Sequence, residues 1–219
     1  MHLTRLGHSC LFVEAAGARI LIDPGAFSHG FEELTGLDAV LVTHQHADHI
    51  DAERLPLLLE ANDGARLVAE PEIAAQLREN GFEVTALHPG DSVSFAGATV
   101  TGAGGTHAEI HADIPLVGNV GMLVTGEGEP TLFHPGDSYD VAPDGVDVLA
   151  LPLTAPWARV GMTVDFARAV GAPAIIPIHD AIVSPQGRGV YVGVLSRLLP
   201  ESSTFHDIEQ GTAWECPAG

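Results

Sequence analysis

Lysine is absent from this 219-residue chain, and its nine basic residues are all arginines, set against 29 acidic ones. The formal charge of -20 repels phosphate backbones and anionic bilayers. No two arginines adjoin and no basic patch forms in the sequence. Nucleic acid and membrane surfaces are therefore not expected partners. Cysteine is scarce, with Cys10 and Cys216 alone. Two thiols make no disulfide framework, and nothing points to an oxidising compartment. Neither has a catalytic partner in the sequence, which argues against a cysteine nucleophile. No apolar run approaches the ~20 residues of a membrane span. The start, "MHLTRLGHSCLFVE", lacks the basic-then-apolar pattern of an export signal. A cytoplasmic location is expected. Aromatic residues make up only 5 % of the chain. The apolar share is still 46 %, from Val, Leu, Ile and Ala, enough for the core of one domain over residues 1–219.

Short apolar runs alternate with turn signals along the chain. Strands are predicted at 10–14, 18–22, 38–42, 66–69, 83–87, 91–95, 98–102, 119–125, 131–134, 147–151 and 174–178. Helices are predicted at 52–61, 71–80, 163–170 and 189–199. Asp51 is a candidate N-cap for the first. Pro71 suits the first position of the second, and Gly81 its stop. There is also a faint internal echo: "ILIDPG" (20–25) resembles "TLFHPG" (131–136), and "LDAVLV" (37–42) resembles "VDVLAL" (146–151). A duplication would give two similar halves packed sheet on sheet with helices outside, four layers in all. Chance similarity between two buried strands explains the echo equally well.

What the chain has in excess is histidine, twelve in all. Three of them crowd into "VTHQHADHID" (42–51), directly after a predicted strand. The spacing His44-x-His46-x-Asp48-His49 is too tight for one helical face. It suits a loop that curls after a strand and aims its side chains at one centre. Neutral imidazole and carboxylate are good ligands for zinc and related divalent ions. Two such ions need about six or seven protein ligands, more than one loop supplies. Candidates stand at other predicted strand ends: His107 after "GAGG", Asp137 in "HPGDS" and His179 after "AIIPI".

This ordered set resembles the metallo-β-lactamase superfamily, over roughly residues 3–180. The opening "LGHSCLFVE…ILIDPG" is similar to its branch of small metal-dependent hydrolases that includes ascorbate-6-phosphate lactonase. The resemblance implies an α/β (α+β) fold, a four-layer αββα sandwich with a dinuclear centre on one edge. It implies that His44, His46 and His107 hold one ion, that Asp48, His49 and His179 hold the other, and that Asp137 bridges them. Asp23, in "ILIDPG", would brace the ligand loop. The implied reaction is hydrolysis of a small ester, lactone or phosphoester by a metal-bound hydroxide, with Asp48 as the catalytic group that orients water or relays a proton. Zinc is the default, and His/Asp ligation also admits manganese or iron.

Some positions have rivals. His111 competes with His107, and His111 and Asp113 can face substrate or remain an ordinary loop pair. His134 competes with Asp137, which lies beyond a Pro-Gly turn and can swing inward. His8 can reach the cleft or satisfy a hairpin turn. Trp157 can line the pocket mouth or simply pack. Arg159 and Arg188 are the loop arginines placed to meet a phosphorylated substrate. The other function classes are an iron-dependent redox enzyme on the same fold and a non-catalytic metal-binding module. A small molecule is the expected partner, and homo-oligomerisation stays open.

Overall fold

The computed structural model describes residues 1–217. Fourteen strands form two seven-stranded sheets. The first sheet holds β1 (His2–Arg5), β2 (Leu11–Ala15), β3 (Ala18–Ile22), β4 (Ala39–Val42), β5 (Arg66–Ala69) and β6 (Val84–Ala86) in sequential order. The second holds β7 (Ser92–Phe95), β8 (Ala98–Thr106), β9 (Gly118–Gly126), β10 (Leu132–His134), β11 (Val148–Pro152), β12 (Ala174–Ile178) and β13 (Thr204–Phe205). The last strand, β14 (Trp214–Glu215), returns to pair with β1. Four helices are α1 (Leu55–Ala61), α2 (Pro71–Glu79), α3 (Val160–Val170) and α4 (Pro185–Leu198).

The two sheets repeat one pairing pattern. Reading β14-β1-β2-β3-β4-β5-β6 beside β7-β8-β9-β10-β11-β12-β13, the first three pairings of each are antiparallel and the last three parallel. The echo segments fall on matched strands, β3 with β10 and β4 with β11.

The parallel strands are buried on both faces, which is why they read as continuous apolar runs. All of β4, β11 and β12 is buried. Alternate residues serve different cores. Ala39 and Leu41 join Val148, Ala150 and Ile176 between the sheets. Val40 and Val42 instead meet Leu55, Leu58, Ile73 and Leu77 of α1 and α2. Leu149 and Leu151 meet Val164, Ala167 and Leu195 of α3 and α4. The result is helix, sheet, sheet, helix. Each fully buried Leu or Ile stabilises this arrangement by roughly 1.5–3 kcal/mol relative to exposure.

Helix starts differ from expectation in physically simple ways. The Asp51 carboxylate does accept from the backbone N–H groups of Glu53 and Arg54, but three turn residues intervene before α1. Glu70 caps α2, accepting from Glu72 and Ile73. Thr163 does not start α3. It lies inside the helix, with its hydroxyl 3.1 Å from that of Tyr139. Pro185, behind the N-cap Ser184, starts α4 four residues before residue 189. The short strands β1, β13 and β14 have no sequence signal of their own.

Candidate metal centre

The direction of the strands gathers the site. Strands β3, β4, β10, β11 and β12 end at one edge, and β1 and β8 run with them because each lies two antiparallel pairings away from β3 or β10. The loops after these ends carry His8, Asp23, His44 to His49, His107, Asp137, Trp157 and His179. The two sheets meet there, with the rings of His44 and His107 4.9 Å apart between centroids.

Three overlapping groups of possible ligands form among the described residues, each with its donor atoms within 4.8 Å of one another: His44, His46 and His107; His8, Asp48, His49 and His179; and His44, His49 and Asp137. Asp137 touches residues of both of the first two groups. One oxygen, Oδ1, is 3.1 Å from His49 Nε2, while Oδ2 is 3.1 Å from His179 Nε2 and 3.5 Å from His107 Nε2.

The orientation of each ring follows from what its other nitrogen does. Nδ1 of His49 donates to Asp23 Oδ2 at 2.7 Å, Nδ1 of His107 to the Ala108 carbonyl at 2.6 Å, and Nδ1 of His179 to the Thr154 carbonyl at 2.6 Å. Nδ1 of His44 lies 3.0 Å from the Thr43 hydroxyl. Each ring therefore presents Nε2 to the centre. His46 faces the other way, with Nδ1 3.1 Å from His44 Nε2.

Asp23 is fully buried and makes three contacts, to His49 Nδ1, to the Thr43 hydroxyl and to the Thr43 backbone N–H. Gly25, two residues on, passes so close to the ligand loop that a Cβ there would lie 1.8 Å from the Asp48 carbonyl oxygen. His8, Asp23 and His179 are three of the five non-glycine residues with positive φ, among the described residues. Such backbone is costly and persists where surrounding contacts over-determine it.

The surroundings set the charges. Burial, then the neighbouring His49, hold His44 well below the usual imidazole range, and burial lowers His46 and His8. Burial would also lower His49, but Asp137 and Asp23 together hold it well above the usual range. Against the effect of burial, His49 and His179 hold Asp137 well below the usual carboxylate range. Asp48 falls to about 2, because His8, His49 and His179 outweigh its desolvation.

The fit to divalent metal is tested by the polar atoms left over. Nε2 of His49, His107 and His179 and Oδ1 of Asp137 are buried and make no well-aligned hydrogen bond; the polar neighbours that they face, 3.1–3.5 Å away, belong to this same set of side chains. Orphans of that kind cost about 1–3 kcal/mol each unless something binds them. Four of them converging at one point, with only imidazole and carboxylate around them, fit zinc, manganese or iron.

The rivals separate. His107 is buried in the cluster, while His111 and Asp113 are exposed and contact each other, so neither faces the centre. His134 is buried, with Nε2 on the Ser9 carbonyl at 2.8 Å and Nδ1 accepting from Gly136 N–H. Its two nitrogens are thus used in tying the end of β10 to the turn before β2 and in bracing its own turn. His8 joins the cluster. Its Nδ1 accepts from the Ala181 N–H, so Nε2–H donates to Asp48 Oδ2 at 3.1 Å. Trp157 is buried and donates from Nε1 to Asp137 Oδ2 at 2.9 Å. Asn119 was not legible in the sequence: its side chain accepts from Asp137 N–H and donates to the Pro135 carbonyl, fixing the turn. Only a buried polar residue inside a strand hinted at it. Arg188 is taken up by Asp180 and, through two nitrogens, by Asp207, so it offers a phosphate little. Arg159 is exposed and makes no ion pair among the described residues.

Residues 2–179 match the family model described as a beta-lactamase superfamily domain. A relative, protein Rv0786c of Mycobacterium tuberculosis, is 49% identical over 211 residues, covering 93% of this chain and 98% of that one. A UPF0173 metal-dependent hydrolase from Exiguobacterium sp. is 30% identical over 82% of this chain and 85% of its own length. Among solved structures, the metallo-beta-lactamase fold protein YhfI from Bacillus subtilis superposes with a TM-score of 0.74 at 16% identity, over 97% of this chain and 98% of that one. At that identity the likeness concerns the fold.

Proposed function

We propose, from the premise that this chain belongs to the beta-lactamase superfamily and is a metal-dependent hydrolase, that it cleaves a small ester, lactone or phosphoester at a two-metal centre. His44, His46 and His107 would hold one ion, Asp48, His49 and His179 the other, and Asp137 would face both. Zinc is the first choice for this donor set, with manganese or iron as alternatives. When bound, such ions bring a water towards a pKa of ~7 and polarise the oxygen of the scissile group. The chain's own residues do the rest. Asp23 fixes the His49 tautomer, and Trp157 N–H occupies one oxygen of Asp137 so that the other stays free for the centre. The Asp48 carboxylate accepts a hydrogen bond from His8 and can hold a proton arriving from water or passing to the leaving group. We place the enzyme in the cytoplasm, acting on a small molecule. The formal charge of -20 disfavours nucleic-acid substrates.

The observation that carries this reading is the convergence of four buried donor and acceptor atoms that make no well-aligned hydrogen bond and face one another's side chains. Elemental analysis of protein purified without added metal tests it, on wild type and on the His46→Ala, Asp137→Ala double variant. Near two equivalents of zinc or manganese, lost in the variant, is the expected result. About one equivalent of iron would move the protein to the redox class, and no metal after reconstitution would overturn the reading.

A further inference from the structure

Ten large apolar side chains are exposed among the described residues. Single exposed apolar residues are ordinary, and a cluster of them is informative. Six of the ten, Phe27, Ile110, Ile114, Leu116, Val141 and Ile182, stand on loops at the edge where the metal-type ligands gather. Ile110, Ile114 and Leu116 share one crevice with His46 and His107. Leu116 is 56% exposed and Ile114 47%. On the opposite flank Phe27, 47% exposed, sets its ring edge-on to His8 with centroids 5.3 Å apart. The two apolar flanks thus bracket the centre.

The charge nearby points the same way. Phe27 and His8 line a cavity of about 500 Å³ that also holds Arg5 and Arg188. Both cations are already engaged. Asp180 Oδ2 accepts from Arg5 Nη2 and from Arg188 Nε, each at 2.8 Å, and Asp207 takes the Arg188 Nη atoms at 2.8 and 2.5 Å. The rim adds exposed Glu109, Asp113, Asp140 and Asp144. An anionic substrate would meet carboxylates and paired arginines, with Arg159 as the one competing feature on the loops.

We infer that Ile110, Ile114 and Leu116, with Phe27, form an apolar wall for the acyl side of the substrate, and that the substrate is an uncharged carboxylic ester or lactone with a hydrocarbon group beside the scissile carbonyl. The inference rests on the hydrolase reading above and narrows it, removing the phosphoester. The reaction adds one water. A new C–O bond forms at the acyl carbon, the acyl–alkoxy bond breaks, one proton goes to the leaving alkoxide and the other to solvent, and a carboxylate remains.

The test is a series of p-nitrophenyl esters from acetyl to octanoyl, with bis(p-nitrophenyl) phosphate beside it, on the metal-loaded enzyme. Full burial would raise kcat/KM about fourfold per methylene. A half-exposed wall gives less, so a rise of at least about tenfold across the series is expected. The double variant Ile114→Ser, Leu116→Ser should flatten the rise and leave the acetyl ester within about twofold. A flat wild-type series, or a phosphodiester that is preferred and no longer cleaved after Arg159→Ala, would overturn the inference while leaving the hydrolase reading intact. A flat series with a dimer that dissociates in the double variant, read by sedimentation, would assign the wall to a second copy of the chain. Binding separates the two readings. Saturation-transfer NMR on metal-free protein should show methyl octanoate binding at the wall at least about tenfold more tightly than octyl phosphate, and the double variant should abolish that preference. Equal or tighter binding of octyl phosphate would refute the inference even if no ester were turned over.

Discussion

Asparagine at position 23 is the most discriminating change that the centre offers. Oδ1 of Asp23 accepts from the Thr43 backbone N–H at 2.8 Å, so in Asp23→Asn the amide oxygen must take that place. The amide nitrogen then replaces Oδ2, which lies 2.7 Å from both the Thr43 hydroxyl and His49 Nδ1. The hydroxyl can turn and accept. His49 cannot keep its Nδ1 proton against an N–H donor, so its proton moves to Nε2. That atom points at Asp137 Oδ1 from 3.1 Å and is the one that the proposed centre would offer to an ion. Loss of such an orienting partner weakens metal binding by about 10–100-fold, or ~1.4–2.7 kcal/mol. In the proposed two-metal centre the larger damage should fall on the ion held by His49, because His46 and His107 do not touch Asp23 and His44 feels the change only through the Thr43 hydroxyl. The fold should survive, with metal-free stability down by about 1–3 kcal/mol for a mismatched buried hydrogen bond. Competition against a chromophoric chelator, with elemental analysis, reads the affinity and the count. One equivalent retained and one weakened is expected. Two ions bound within about twofold of wild type, in a protein folded by circular dichroism, would refute the argument that Asp23 sets the tautomer.

Two further predictions concern the metal-free protein and the loop that carries the ligands. His8, His44, His46 and His134 have lowered pKa values, so below the unfolded imidazole value of ~6.5 the unfolded chain takes up more protons and stability falls with pH. His49 has a raised pKa, so its stabilising proton is fully present below ~6.5 and is lost as pH rises through its folded value. Melting in chelator should therefore peak near neutral pH, and a Tm that keeps climbing from pH 7 to pH 9 would contradict the His49 assignment. Gly25→Ala should cost about 1–3 kcal/mol or more by overpacking, since its Cβ would lie 1.8 Å from the Asp48 carbonyl oxygen, and should displace the 46–49 loop. Urea unfolding measures the first effect and metal affinity the second; wild-type values for both would show that the loop does not depend on that close approach.

Much of this was legible in the linear chain, for a local reason. Buried parallel strands need continuous apolar runs, so all eleven predicted strands are present, and the ligand types stand directly after them, where a chain leaves a sheet. The spacing of "THQHADH" needed no tertiary context to read as a metal-type loop. The internal echo was too weak to decide alone, and the matched pairing of β3 with β10 and of β4 with β11 gives it a structural counterpart. The short strands β1, β13 and β14 gave no signal because they are only partly buried and carry no apolar run. The choice among rivals depended on long-range contacts. Nothing near His111 in sequence says that it faces solvent, and His134 is identified as structural only by the Ser9 carbonyl, 125 residues away. The tautomer of His8 depends on Ala181, and the carboxylate geometry of Asp137 on Trp157 and Asn119. Asp207 pairs with Arg188 from the segment that follows β13. The sequence by itself determined which side chains can bind a metal and where the strands that present them lie, because those follow from residue type and local hydrophobic pattern. Only the tertiary structure decided which nitrogen each imidazole presents and which charges are already paired, because those depend on partners that packing brings from far along the chain.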